Sequence, residues 1–152
     1  MNRTLVIGYG NRLRRDDGAG PLAAERIAAT YPEVDCLSSQ QLTPEMAEVI
    51  AHYNRVLFVD ASVETNHLRW SLIQLRIEQM LPDSHSLSPQ RLVELAIELY
   101  GECPRQAELV ELPACDFDFG YELSPLASEM VERFVRVFPA TQADLRDNVR
   151  YC

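Results

Sequence analysis

Short apolar runs of strand length alternate along this chain with segments of helical periodicity. Residues 5–7 and 56–59 are continuously apolar, as expected of strands that are buried on both faces. The stretch 18–31 repeats apolar residues every four positions, at Ala19, Ala23 and Ile27, which predicts a helix. Strands that alternate with helices at this spacing predict an α/β domain, a three-layer α/β/α sandwich around a mostly parallel, twisted sheet.

Capping signals and periodicity predict the other elements. Thr43 followed by Pro44 is expected to open a helix whose buried face includes Val49. Ser88 and the proline after it open another, with Leu99 on the buried face. Further elements are expected as strands over 34–37, 70–72 and 109–112 and as a helix from 124 onward.

The length and charge of the chain limit its organisation and its partners. A chain of 152 residues fits one domain, 1–152, with 139–152 expected to be a loose C-terminal tail. A net charge of -9 opposes binding to nucleic acid and to anionic lipid surfaces. The four cysteines form no Cys-x-x-Cys pair, which argues against a zinc ribbon or a thioredoxin-type redox site.

The N-terminal residues run directly into a strand pattern. They lack the apolar stretch and cleavage site of a secretory signal, and no apolar run approaches the roughly 20 residues that cross a bilayer. We therefore expect a cytoplasmic protein that has no membrane partner. We also expect a monomer.

The first strand runs into a glycine turn that ends in two carboxylates. Gly8 and Gly10 resemble the start of a dinucleotide-binding loop, but Leu13 stands where the third glycine is required. No Gly-Lys-Ser/Thr follows either, and the acids at 16 and 17 would repel a phosphate. The turn is therefore either a tight turn beside a packed strand or the support of a different kind of site.

Two acidic positions are expected at the carboxyl edge of the sheet, where open α/β sheets bind ligands. Either Asp16 or Asp17 can cap the first helix, which leaves a spare acid that could ligate a metal. Asp60 ends the most apolar strand and either faces the crevice or begins a turn.

A histidine would complete a metal-ligand set with these acids. His52 and His67 are expected at the surface, whereas His85 lies just ahead of a well-capped helix. Together with Asp17 and Asp60 it would form a two-carboxylate, one-histidine set that suits a borderline divalent transition metal. No Gly-x-Ser-x-Gly elbow and no His-Glu-x-x-His helix points to a common hydrolase instead.

Taken together, these motifs resemble one enzyme family, the nickel-iron hydrogenase maturation endopeptidases, which remove a C-terminal extension from the hydrogenase large subunit. The resemblance covers nearly the whole chain. It lies in five stretches: Gly8-x-Gly10-Asn11, Asp16-Asp17-Gly18-x-Gly20, Val59-Asp60-Ala61, Ser84-His85 and Gly120-Tyr121-Glu122-Leu123-Ser124-Pro125.

The resemblance implies a fold, a site and a mechanism. The fold would be the phosphorylase/hydrolase-like α/β/α sandwich, and Asp17, Asp60 and His85 would be both the metal ligands and the catalytic residues. The metal would be nickel supplied by the large-subunit precursor, so that the three side chains dock on it and position the scissile bond. A carboxylate such as Asp17 would act as the base where it does not ligate.

Two other classes of function stay open at this stage. A non-proteolytic metal-binding chaperone of the same fold would keep Asp17, Asp60 and His85 but cut nothing. A nucleotide-binding module would need a phosphate cradle, which the acidic pair opposes.

Overall fold

The computed structural model describes residues 3–75 and 87–144. In chain order, these residues form β1 (Thr4–Tyr9), a 3₁₀ turn (Arg15–Gly18), α1 (Ala19–Thr30), β2 (Asp35–Ser39), α2 (Met46–Ala51), β3 (Arg55–Ser62), β4 (Arg69–Leu72), α3 (Pro89–Tyr100), β5 (Gln106–Pro113) and α4 (Pro125–Asp144). The strands predicted from apolar runs and the helices predicted from capping signals are confirmed, with boundary differences given below.

The strands join in one sheet with the order β2-β1-β3-β5-β4. The β2, β1, β3 and β5 strands are parallel, and β4 pairs antiparallel with β5 at one edge. Helices α1 and α4 pack together on one face of the sheet, and α2 and α3 pack together on the other. This arrangement confirms the predicted α/β sandwich with a mostly parallel sheet.

Alternate residues of the central strands enter two separate cores. Val6 and Val59 face the α1 and α4 side, whereas Ile7 and Phe58 face the α2 and α3 side. All four are fully buried. Burial on both faces explains why these strands are continuously apolar instead of alternating with polar residues.

Two sequence expectations about strands and helix starts are corrected by the structure. Asp60 does not end β3, because pairing with β5 continues through Asp60 opposite Glu111 to Ser62. Helix α2 begins at Met46 instead of Thr43, and no side chain caps it. Thr43 and Pro44 thus form a turn that precedes the helix and do not begin it.

Two residues expected in the core are exposed, Val49 in α2 and Leu99 in α3. Helical periodicity shows which side of a helix is apolar, but the width of the buried stripe depends on the neighbouring elements. By contrast, the ends of α3 are as expected. The Ser88 hydroxyl accepts a hydrogen bond from the Arg91 N–H at 3.1 Å, and Gly101 ends the helix in the left-handed conformation.

The C-terminal helix α4 continues through Pro139 to Asp144. Fully buried Phe134 and Phe138 anchor it before the proline. The tail expected from 139 therefore begins inside a helix, and residues 145–152 lie outside the described residues. None of the helices in the described segments is long and apolar enough to cross a membrane.

A buried ion pair joins β3 and β5 near the amino end of the sheet. The Arg55 Nε donates to the Glu108 carboxylate at 2.6 Å, and the Trp70 indole N–H donates to the same carboxylate at 2.8 Å. Glu108 is almost fully buried. Two donors on a buried carboxylate are the arrangement in which burying a charge is tolerated.

Candidate functional site

The strand order reverses between β1 and β3. From β1 the chain passes to β2 on one side, and then returns to place β3 on the other side. In open α/β sheets, ligands bind beyond the carboxyl ends of the strands at such a reversal. The candidate site is therefore the crevice formed by the loop after β1 and the end of β3.

The glycines of the opening motif are needed for close backbone approaches. A Cβ on Gly8 would lie 2.0 Å from the Gly20 carbonyl oxygen, so the first strand and α1 could not pack at this distance with any larger residue. Gly10 has a φ of +147°, and a Cβ there would lie 1.9 Å from the Asp17 carbonyl oxygen. The tight-turn interpretation is correct, and the same turn brings the Asp17 backbone against the end of β1.

Asp17 is held at the mouth of the crevice by its own loop. Its Oδ2 atom accepts a hydrogen bond from the Asn11 N–H at 2.8 Å, and its N–H donates to the Arg14 carbonyl at 3.0 Å. The side chain is partly exposed and makes no capping hydrogen bond to α1. The expectation that one of the two acids caps α1 is therefore wrong, and Asp17 as a metal ligand stays a prediction.

Asp60 of β3 lies near enough to Asp17 for the Asp17 charge to act on it. Burial raises the pKa of Asp60 to about 6, and the negative charges of Asp17 and Glu111 act in the same direction. Hydrogen bonds from the Ala61 N–H and the Tyr9 hydroxyl lower the pKa but do not cancel the rise. The structure thus brings Asp17 close enough to Asp60 for the Asp17 charge to act on the Asp60 carboxyl group.

Glu111 and Arg69 adjoin the site and were not identified from the sequence. Glu111 lies opposite Asp60 on β5, and Arg69 of β4 donates two hydrogen bonds to its carboxylate, at 2.5 and 2.7 Å. An acid inside the apolar strand 109–112 was a visible signal. Its neighbours could not be assigned, however, because they depend on strand register.

Asp16 has a structural role different from the helix cap that was expected. Its carboxylate is fully buried and accepts hydrogen bonds from the N–H groups of Cys115, Asp116 and Ser124 and from the Ser124 hydroxyl, at 2.7 to 3.0 Å. Burial alone would raise the pKa of Asp16, but these hydrogen bonds lower it below the ordinary value. The residue joins the loop after β1 to the loop 114–124 after β5.

The predicted histidine ligand is not tested by the structure. His85 lies outside the described residues, whereas His52 and His67 are exposed, as expected. In residues 3–75 and 87–144, no group of three or more His, Cys, Asp or Glu side chains is close enough to hold a metal. Asp17 and Asp60 lie near each other, and the role of Asp17, Asp60 and His85 as metal ligands stays a prediction.

Solved structures of hydrogenase maturation proteases and peptidases share this fold. The maturating endopeptidase HybD from E. coli superimposes with a TM-score of 0.70 at 22% identity, over 91% of each chain. The fold is that of the hydrogenase maturation proteases. The nickel-iron hydrogenase maturation protease HycI from Thermococcus kodakarensis KOD1 gives a TM-score of 0.69 at 22% identity, over 91% of each chain.

A third structure extends the comparison. The hydrogenase 2 maturation peptidase from Thaumarchaeota archaeon SCGC_AB-539-E09 gives a TM-score of 0.68 at 23% identity, over 93% of this chain and 98% of that one. No protein-family model matches the sequence, and no curated protein matches it. At this level of identity the likeness establishes a shared fold, and the activity has to be argued from the site.

Proposed function

We propose that this protein is an endopeptidase that removes the C-terminal extension of a nickel-iron hydrogenase large-subunit precursor after nickel has been inserted. The observation that carries the proposal is the placement of Asp17 and Asp60 together at the strand-order reversal. The solved structures that share this fold are described as hydrogenase maturation proteases and peptidases.

The chemistry of the donor set supports nickel as the ion that is recognised. Two carboxylates with the imidazole of His85 would offer oxygen and nitrogen ligands and leave coordination positions open, which suits a borderline divalent metal. In our proposal the nickel belongs to the precursor, and the three side chains contact it only when that substrate binds. Cleavage is then restricted to precursors that already hold their metal.

The two carboxylates have different surroundings and are assigned different tasks. Asp17 is partly exposed and oriented by the Asn11 N–H, so where it does not ligate the nickel it can accept a proton from the attacking water and return it to the leaving amine. Asp60 accepts hydrogen bonds from the Tyr9 hydroxyl and the Ala61 N–H, which hold it in place and suit a positioning ligand. The nickel, once bound, would polarise the scissile carbonyl as a Lewis acid.

The remaining expectations become part of the same proposal. We infer that the partner is the precursor protein alone, that the peptidase acts as a monomer, and that it works in the cytoplasm, where the precursor would be assembled. The net charge of -9 is consistent with a partner that is neither nucleic acid nor an anionic membrane.

Substitution of His85 tests the third proposed metal ligand. We expect His85→Ala to abolish cleavage of a nickel-loaded precursor and to leave the unfolding midpoint unchanged. The matched control is His67→Ala, because His67 is an exposed histidine elsewhere on the surface. Full cleavage by His85→Ala would show that His85 is not a site residue. An equal loss of cleavage in both variants would show that the effect is not specific to His85.

A further inference from the structure

Three large apolar side chains are exposed beside the candidate site. Phe119 and Tyr121 of the loop 114–124 are 87% and 79% exposed, and Leu13 of the loop after β1 is 50% exposed. We refer to these three residues as the apolar rim. Exposed apolar groups that cluster mark contact surfaces more often than isolated ones, and aromatic residues are enriched in protein interfaces.

The apolar rim is assembled around one short backbone pairing. The Gly120 N–H donates to the Leu13 carbonyl at 2.8 Å, and the Arg15 N–H donates to the Gly120 carbonyl at 2.9 Å. Gly120 stands between Phe119 and Tyr121 in the chain. These main-chain hydrogen bonds therefore hold the backbone between the two aromatic residues beside the backbone at Leu13.

The buried Asp16 carboxylate holds the loop that carries Phe119 and Tyr121 in place. It accepts hydrogen bonds from the loop 114–124 at Cys115, Asp116 and Ser124, so both ends of the loop are tied to the residue that precedes Asp17. A loop already held in place loses little conformational entropy when a partner binds. The same connections place the rim next to the loop that carries Asp17.

We propose that the apolar rim is the docking surface for the protein substrate, which presents an apolar patch of its folded surface next to the segment to be cut. This inference rests on the proposed function. The rim is continuous with the loop that carries Asp17, so a molecule seated on it also covers the crevice. A second copy of this chain in that position would block the crevice, and its charge of -9 would repel an identical chain.

The test is a double variant, Phe119→Ala with Tyr121→Ser, compared with a matched pair elsewhere. The control is Leu99→Ala with Tyr100→Ser at the end of α3, where the side chains are 60% and 46% exposed. Helix α3 ends shortly before β5 begins, so the control pair lies toward the amino ends of the strands, away from the crevice. The rim variant removes two exposed aromatic side chains, and the control removes one exposed aromatic and one exposed aliphatic side chain.

Two quantities are measured with nickel-loaded large-subunit precursors, one from each hydrogenase class. The first is cleavage, from which KM and kcat are obtained. The second is binding of the same precursors to Asp17→Asn protein with and without the rim substitutions. We expect the rim variant to raise KM and the dissociation constant at least tenfold, with a much smaller change in kcat, and the control pair to leave both unchanged.

Several results would overturn the docking proposal. An unchanged KM and dissociation constant in the rim variant would do so, as would equal effects in the control pair. A concentration-dependent dimer of the wild type that the rim variant loses would assign the surface to self-association. Binding of precursor by wild-type protein without cleavage would instead reject the proposed peptidase function, while the binding comparison still decides the role of the rim.

Discussion

The Tyr9 hydroxyl at the end of β1 donates a hydrogen bond to the Asp60 carboxylate of neighbouring β3. This bond favours the charged form of Asp60, but burial and the charges of Asp17 and Glu111 oppose it and prevail. Burial together with the Asp60 charge also raises the pKa of Tyr9, so the phenol stays protonated and keeps donating. The site thus holds a carboxylate that is costly to ionise.

The first prediction concerns stability against pH. The ordinary pKa of an aspartate is 3.8, and the pKa of Asp60 in the folded protein is about 6. Between about pH 4 and 6 the folded state therefore binds a proton at Asp60 more tightly than the unfolded state does. The free energy of unfolding therefore falls as pH rises from about 4 to 6, by about 3 kcal/mol from this group. Asp60→Asn should remove this loss and stabilise the protein at pH 7 by about 1–3 kcal/mol.

Denaturant unfolding of the metal-free protein at several pH values checks this prediction. The control is Asp118→Asn, because Asp118 is an exposed acid in the loop 114–124. The wild type and the control should lose stability in parallel between pH 4 and 6, and Asp60→Asn should lose less. An Asp60→Asn variant with the wild-type slope would refute the assignment.

A second prediction isolates the Tyr9 hydrogen bond. Tyr9→Phe removes a donor to the ionised form of Asp60, so the pKa of Asp60 should rise further, by about 1 unit. Carboxyl-carbon NMR titration of Asp60 measures this shift directly. Tyr53→Phe is a suitable control, since Tyr53 donates instead to Asp35 on β2. A pKa that stays at the wild-type value in Tyr9→Phe would show that the bond has no effect on the site.

The third prediction concerns the anchor of the two loops. In Asp16→Asn, an amide replaces an oxygen that accepts N–H groups, so buried donors lose their partner. We expect the free energy of unfolding to fall by about 2–4 kcal/mol. Thermal unfolding measures it, and Asp118→Asn should change stability by about 0.5 kcal/mol or less. A stability of Asp16→Asn equal to that of the control would mean that the loops are held by other contacts.

The fourth prediction separates stability from activity. Glu108→Gln leaves the buried Arg55 guanidinium without this counter-charge and should destabilise the fold by about 3–5 kcal/mol. Because the pair lies toward the amino end of the sheet, the variant that remains folded at low temperature should process precursor at the wild-type rate. If the folded variant processed precursor more slowly than the wild type, the ion pair would be linked to the site.

Much of the fold follows from local patterns, whereas parts of the site do not. Residues 5–7 and 56–59 had to be buried strands because they are continuously apolar, and the carboxyl-end rule then placed Asp17 and Asp60 at one edge. The role of Asp16 depends on contacts with residues about 100 positions away. The Glu111 and Arg69 pair depends on strand register, which the sequence does not reveal.

The most direct test of the central claim is mass spectrometry of a purified large-subunit precursor, with and without nickel, after incubation with this protein or its Asp17→Asn variant. We predict loss of one defined C-terminal peptide only when nickel is present and only with the wild type. An intact precursor across all hydrogenase classes would contradict the peptidase account and favour a metal-binding chaperone of the same fold. Cleavage without nickel would contradict the metal checkpoint.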